Sequence, residues 1–186
     1  VYYWSPSLVN IATNKAVINS AYSLKKFNNA YESYIINFFG EFCKYKDEIY
    51  EKKIFLKNLF NPKIINFLPK YGKIKSRISF LIIFLMSFFP LNRLLKKERP
   101  DFLVIHLITS LPLILLCIFN YQTKFILRVS GLPKLGFMRK FLWKLAAKKL
   151  FCITCPTKTT YEFIKKSNII DNKKIKLLYD PILEIS

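Results

Sequence analysis

The sequence predicts an α/β domain, a Rossmann-like parallel sheet flanked by helices, and three observations predict it. Between residues 100 and 181 short apolar runs recur, FLVIH, KFILRVSG, FCITC and KIKLL, separated by helical stretches of comparable length. Each run is rich in β-branched or aromatic residues without polar alternation, as in strands buried on both faces. Each is followed by small or polar residues, and in a parallel sheet such strand ends line the crevice where ligands bind. His106, Ser130 and Thr157 stand at or just beyond these ends.

The elements follow in chain order. VYYW reads as the end of a first strand and leads through SPSLVNIATN into a helix from about Lys15 to Phe27, where Ala16, Ile18, Ala21, Tyr22 and Lys25 keep helical spacing. YESYIINFFG is the second strand, stopped at Gly40. Residues 41–75 are harder to place. They hold KDEIYEKK, a short strand candidate IFLKNLF, and NPKIINFLPKYGKIK, in which Pro62, Pro69 and Gly72 punctuate a surface segment.

From about Ser79 an apolar helix, SFLIIFLMSFFPLNRLLKK, runs to a basic last turn with an interruption near Pro90. It has no polar face over residues 80–89, and burial inside the protein is the expected reason. A helix dipping into a membrane interface is the alternative, with Lys53, Lys57, Lys63, Lys70, Lys73, Lys75 and Arg77 upstream to meet an anionic surface. The next apolar run, residues 102–121, is divided by His106, Thr109, Ser110 and Pro112 into a strand, a turn and a helix start rather than a membrane span.

The composition is that of one globular domain with a core: 52% of the 186 residues are hydrophobic. Lys and Arg outnumber Asp and Glu by 31 to 11, and the excess is spread along the chain rather than gathered in a tail. It therefore coats a folded surface and attracts an anionic partner: lipid headgroups, nucleic acid or a phosphorylated substrate. The cysteines, Cys43, Cys117, Cys152 and Cys155, lie scattered in apolar surroundings, which fits a reducing cytoplasm better than a secreted disulfide scaffold. Nothing at the start reads as a signal peptide, and the chain reads as a fragment cut at both ends.

Several residues carry candidate chemistry. His106, the only histidine, ends the strand FLVIH, where an imidazole can donate or accept a hydrogen bond near neutral pH; a strand-end histidine satisfied by backbone is the plainer reading. The loop through Val9, Asn10, Ile11, Ala12, Thr13 and Asn14 joins the first strand to its helix, with Lys15 placed to neutralise phosphate charge. It lacks glycines, so an ordinary N-cap region is an equal alternative, and the absence of G-x-G-x-x-G argues against a nicotinamide dehydrogenase. RVSGLPKLGFMRK sets Gly131 and Gly136 among Arg128, Ser130, Lys134, Arg139 and Lys140, as a loop approaching an anion requires, although a turn with solvated charges has the same composition. Thr157 caps the following helix or touches a ligand, capping being the expected role. Cys152 and Cys155 form C-x-x-C inside an apolar strand, without the further ligands zinc needs or the helix N-terminus thiol exchange uses. With 11 acidic residues no divalent metal site is expected, and no Walker loop or Ser-His-Asp set stands out.

The order Ser5-Pro6, NKAVINSAYSL, PDFLVIHLITSLPL, RVSGLPKL with RKFLWKL, CPTKTT and KIKLLYDPI resembles the N-terminal half of glycosyltransferase family 4 enzymes, which build cell-surface polysaccharides. The resemblance implies a GT-B fold, two Rossmann-like domains facing each other across a cleft, with residues 1–186 as the acceptor-side domain. It implies transfer of a sugar, with retention, from a nucleotide-sugar to a lipid-linked or polysaccharide acceptor at the cytoplasmic face of a bacterial inner membrane. It implies no cofactor and no metal in this half. The donor would bind mostly to a C-terminal domain, so this chain alone is expected not to turn over.

By the same resemblance His106 matches the second histidine of the family's Val-His-x-His strand end, with Val104 in place of the first, a position that hydrogen-bonds the donor sugar. Ala12, Thr13, Asn14 and Lys15 would lie near the donor phosphates, and Arg128, Ser130, Gly131, Lys134, Arg139 and Thr157 in the cleft loops. Two readings from other classes stand beside it: a non-catalytic basic module for nucleic acid, with Lys and Arg among Tyr and Phe but no recognisable binding motif, and a scaffold on an anionic membrane surface.

Overall fold

A computed structural model describes residues 1–7, 12–28, 30–61 and 73–181, with the backbone alone for residues 73–77. Among the described residues there are seven strands: β1 (Tyr2–Trp4), β2 (Tyr34–Asn37), β3 (Phe55–Asn58), β4 (Phe102–Ile105), β5 (Lys124–Arg128), β6 (Cys152–Cys155) and β7 (Ile175–Leu177). Every pairing is parallel, in the order β3-β2-β1-β4-β5-β6-β7. The helices are α1 (Ala12–Phe27), α2 (Lys46–Glu51), α3 (Lys73–Glu98), α4 (Ser110–Ile118), α5 (Phe137–Ala147) and α6 (Lys158–Lys166). The chain walks outward from β1 to β3, crosses back through α3 to lay β4 beside β1, and walks the other way to β7. The reversal between β1 and β4 is the switch point at which such sheets open a crevice.

Strand alternation divides the interior into two cores. Tyr2, Trp4, Leu103, Ile105, Phe125 and Leu127 point to one side, where α3 to α6 supply Leu91, Leu95, Leu111, Leu115, Trp143 and Ile164. Tyr3 and Ile35 point to the other, against Val17, Ile18 and Ala21 of α1 and Ile49 of α2. On that second side α1 and α2 cover the β1–β3 half, while a groove of about 440 Å³ runs over Val104, Ile126 and Thr154.

The predicted α/β alternation is the observed one, and the differences are local. The second strand is shorter than residues 31–40 because the chain turns after Asn37: Gly40 has φ 109, and the Glu41 carboxylate accepts from the Phe38 and Phe39 amides at 2.9 and 2.8 Å. Within residues 41–61 the structure adds α2 and confirms the short strand as β3. Pro62, Pro69, Gly72, Lys63 and Lys70 lie outside the described residues, as do the side chains of Lys73, Lys75 and Arg77.

The apolar helix departs further from expectation. It starts earlier, at Lys73, and runs through Pro90 without ending. Proline removes one backbone donor, but the turns beyond it are anchored by Leu91, Leu94 and Leu95, all buried. Nor is the helix buried all round. Ser79, Ile83, Ser87 and Leu91 face the protein, while Ile78, Leu81, Leu85 and Phe89 face outward. Two of the inward positions are serines, while Leu81, Leu85 and Phe89, large and apolar, are left outside.

Candidate functional site

At the C-terminal edge of the sheet, the ends of β4 and β5, their loops and the start of α1 enclose a cavity of about 850 Å³. Of the residues singled out in the sequence, Thr13, His106, Arg128, Ser130, Gly131 and Arg139 line it. Leu132, Phe137, Met138, Phe141 and Trp143 form an apolar wall opposite these polar groups. A largely apolar pocket with a few convergent polar groups is the usual form of a small-molecule site.

His106 is at its floor. Its backbone amide extends the β1–β4 pairing to the Trp4 carbonyl at 2.9 Å, which fixes the residue just past the strand end. The side chain is 4% exposed, with Tyr3 beside it at 6.3 Å between ring centroids. Neither ring nitrogen has a hydrogen-bond partner among the described residues. Among the described residues no backbone group satisfies the ring. Burial first, and the Arg128 charge second, depress its pKa to about 3, so the ring is neutral at neutral pH. A neutral imidazole offers one donor and one acceptor, and both are vacant here.

The backbone next to it is strained. Ile108 has φ 45, a left-handed conformation that β-branched residues avoid. Its carbonyl accepts from the Trp4 indole at 3.4 Å, which ties the β4–α4 loop to β1. Strain of this kind costs about 1–3 kcal/mol and gathers at functional sites.

The α1 residues separate on folding. Ala12 opens the helix and Thr13 faces the cavity, whereas Asn14 turns inward: Ser7 Oγ donates to its Oδ1 at 3.2 Å, and its Nδ2 donates to the Glu41 carbonyl at 3.3 Å. Lys15 is committed elsewhere, paired with Glu48 of α2 and lying over the Tyr45 ring. With no acidic residue in its first turn, α1 presents an electropositive N-terminus toward the cavity. Val9, Asn10 and Ile11 lie outside the described residues.

Arg128 is also spoken for. Its Nη2 donates to the Leu178 carbonyl at 3.1 Å and pairs with Asp180, and its Nη1 reaches Thr154 Oγ1 at 3.5 Å. It holds the segment after β7 against the sheet rather than waiting for an anion. Arg139 stands at the cavity rim with its Nη1 on the Lys134 carbonyl at 3.2 Å, while Lys134 itself is exposed and does not line the cavity. A Cβ at Gly131 or Gly136 would meet nothing within 4 Å, so neither glycine is demanded by packing. Thr157 is away from the cavity and is the N-cap of α6, its Oγ1 accepting from the Thr160 amide at 3.2 Å.

The sequence reading missed the cavity's apolar wall and Thr109 and Ser110 as lining residues. The signal was present in the helix-starting Thr-Ser directly after the His106 strand end. Among the described residues no group of three or more His, Cys, Asp or Glu side chains is placed to hold a metal ion.

No family model matches the sequence, and no curated protein matches it significantly. The fold does have a solved counterpart. The chain superposes on HepE of Anabaena, whose crystal structure is in complex with UDP and glucose, with a TM-score of 0.58 at 9% identity over 97% of this chain. At that identity the likeness shows the fold. The chain spans 44% of the length of HepE.

Proposed function

We propose that this chain is the acceptor-side domain of a retaining glycosyltransferase, with the cavity at the β4 and β5 ends as its part of the cleft. The observation that carries this reading is His106: a buried, neutral imidazole, neither nitrogen of which has a partner among the described residues, at the switch point of a parallel sheet. The likeness to a protein solved with UDP and glucose supports it. The donor is a nucleotide-sugar, held mostly by a second domain, and the acceptor is a lipid-linked or polysaccharide glycan of a cell surface.

In this reading each group has a distinct task. His106 hydrogen-bonds a hydroxyl of the donor sugar and fixes its orientation without adding charge. The α1 N-terminus, with Ala12 and Thr13, faces the diphosphate as negative charge develops on the leaving group. Ser130, the open space at Gly131 and Arg139 shape the acceptor side. The reaction takes place at the cytoplasmic face of a bacterial membrane, where the basic surface keeps the enzyme near an anionic bilayer.

The test is nucleoside diphosphate release from a panel of nucleotide-sugars by the full-length protein, with membrane lipid extract as acceptor. Sugar-dependent release that His106→Ala reduces sharply is the expected result. Absence of release from every donor, or full activity in the variant, would overturn the reading.

A further inference from the structure

The outward faces of α3 and α5 are unlike the rest of the surface. On α3, Ile78, Leu81, Leu85 and Phe89 follow one another along the helix, and Leu85 and Phe89 are 61% and 75% exposed. On α5, Phe137 and Phe141 are 87% and 63% exposed, and Trp143, Ala146 and Ala147 face the core instead. Scattered exposed apolar residues need no explanation, but stripes on two helices of one layer do.

The topology brings the two stripes to one place. In a parallel sheet each crossover helix runs against the strands, so its N-terminal turns stand at the C-terminal edge, beside the cavity. The stripes occupy those turns in both helices. Phe89 and Pro90 of α3 border a cleft with Leu59 and Phe60, just beyond the end of β3, so the earlier turns of α3 extend past the sheet edge. The largely buried α4 packs between α3 and α5 and joins them into one layer. Phe137 and Phe141 also belong to the cavity wall, so the apolar surface is continuous with the mouth of the site.

Charge identifies what covers it. Beyond Phe89 the outward positions of α3 change to Arg93, Lys96 and Lys97. The α5 stripe is flanked along one side by exposed Lys140, Lys144 and Lys148. Apolar and aromatic side chains bordered by lysine are the pattern of a helix seated in the headgroup region of an anionic bilayer. Within Ile78–Glu98 the most apolar 18 residues have a mean hydropathy of 1.9, and 33% of them are buried in the protein.

We infer that the outer faces of α3 and α5 form a single docking surface for an anionic lipid bilayer, inserted to the level of Phe89 and opening the cavity toward the membrane. The surface stands without the sugar-transfer reading; only its consequence, that the acceptor is drawn from the membrane, rests on it. Lipid chains cover Leu85, Phe89, Phe137 and Phe141, and headgroups meet the flanking lysines.

Co-sedimentation of the full chain with vesicles tests this. Wild type is expected to partition onto phosphatidylcholine vesicles holding about a third phosphatidylglycerol, and much less onto phosphatidylcholine alone. Leu85→Asp with Phe141→Asp should lower partitioning at least about tenfold. Lys140→Glu with Lys144→Glu should lower it several-fold on the anionic vesicles only. Tyr50→Asp, at an exposed apolar side chain of α2 on the other face, should leave it unchanged. All these side chains are exposed, and thermal melting confirms folding. Equal binding by wild type and the double aspartate variant would overturn the inference. So would a concentration-dependent dimer, without vesicle binding, that the same substitutions abolish; that result would assign the face to a second copy. Loss of nucleotide-sugar turnover with vesicle binding intact would instead overturn the sugar-transfer reading alone.

Discussion

His106 and Arg128 look alike in the sequence and differ in the fold. Each is a polar residue closing an apolar run, each ends up about 95% buried, and both reach the same cavity. Arg128 commits Nη1 and Nη2 to Thr154, Leu178 and Asp180 and leaves only Nε without a partner, whereas His106 has no side-chain hydrogen bond at all among the described residues. A buried polar group normally finds a partner because leaving it unpaired costs about 1–3 kcal/mol. Arg128 thus belongs to the architecture, whereas among the described residues no group pairs with the His106 ring.

Substitutions can break or sharpen this contrast. The largest effect is expected on the proposed sugar transfer, where His106→Ala should lower kcat/KM roughly 100-fold, or about 2.7 kcal/mol, while leaving thermal stability close to wild type. An equal loss of activity and folding would erase the contrast. Next in size is the pH dependence of stability. The folded pKa of His106, about 3, lies below the ordinary 6.5, so on acidification the unfolded chain takes up the proton first. Stability from this group is therefore complete above pH 6.5 and falls below it by up to about 1.4 kcal/mol per pH unit, roughly 2 kcal/mol by pH 5. Urea unfolding of wild type and His106→Asn should agree above pH 6.5 and diverge below it. Parallel curves would place the ring in water.

Arg128→Met should do the reverse of His106→Ala, costing about 1.5 kcal/mol in stability through its lost hydrogen bonds to the segment after β7. Guanidinium midpoints measure that. The smallest effect is expected at Thr157, where alanine removes the α6 cap and costs about 1 kcal/mol without altering turnover. A turnover defect in folded Thr157→Ala would return that residue to the cleft.

Much of this was legible in the sequence, and the exceptions share a cause. The β4 to β7 segments could be placed because strands buried on both faces read as short apolar runs, and the turn at His106 could be placed because Thr109, Ser110 and Pro112 interrupt the run. Partners distant in sequence could not be read. Lys15 looked like a phosphate ligand until folding brought Glu48 to it, and Arg128 looked free until the chain beyond β7 returned with Asp180. The outward face of α3 was hidden for a related reason. A helix that is apolar on all sides carries no periodic signal for which side meets protein, and only packing shows that Ser79 and Ser87 face inward.

The most direct test is the ¹⁵N NMR titration of the imidazole from pH 8 to pH 4, with and without each member of the nucleotide-sugar panel. Since the chain contains one histidine, its signals are unambiguous. A ring that stays neutral through pH 5, with nitrogen shifts that move when a nucleotide-sugar of the panel is added, is the expected result. An ordinary titration near pH 6.5 with no response to any nucleotide-sugar would contradict the proposed function.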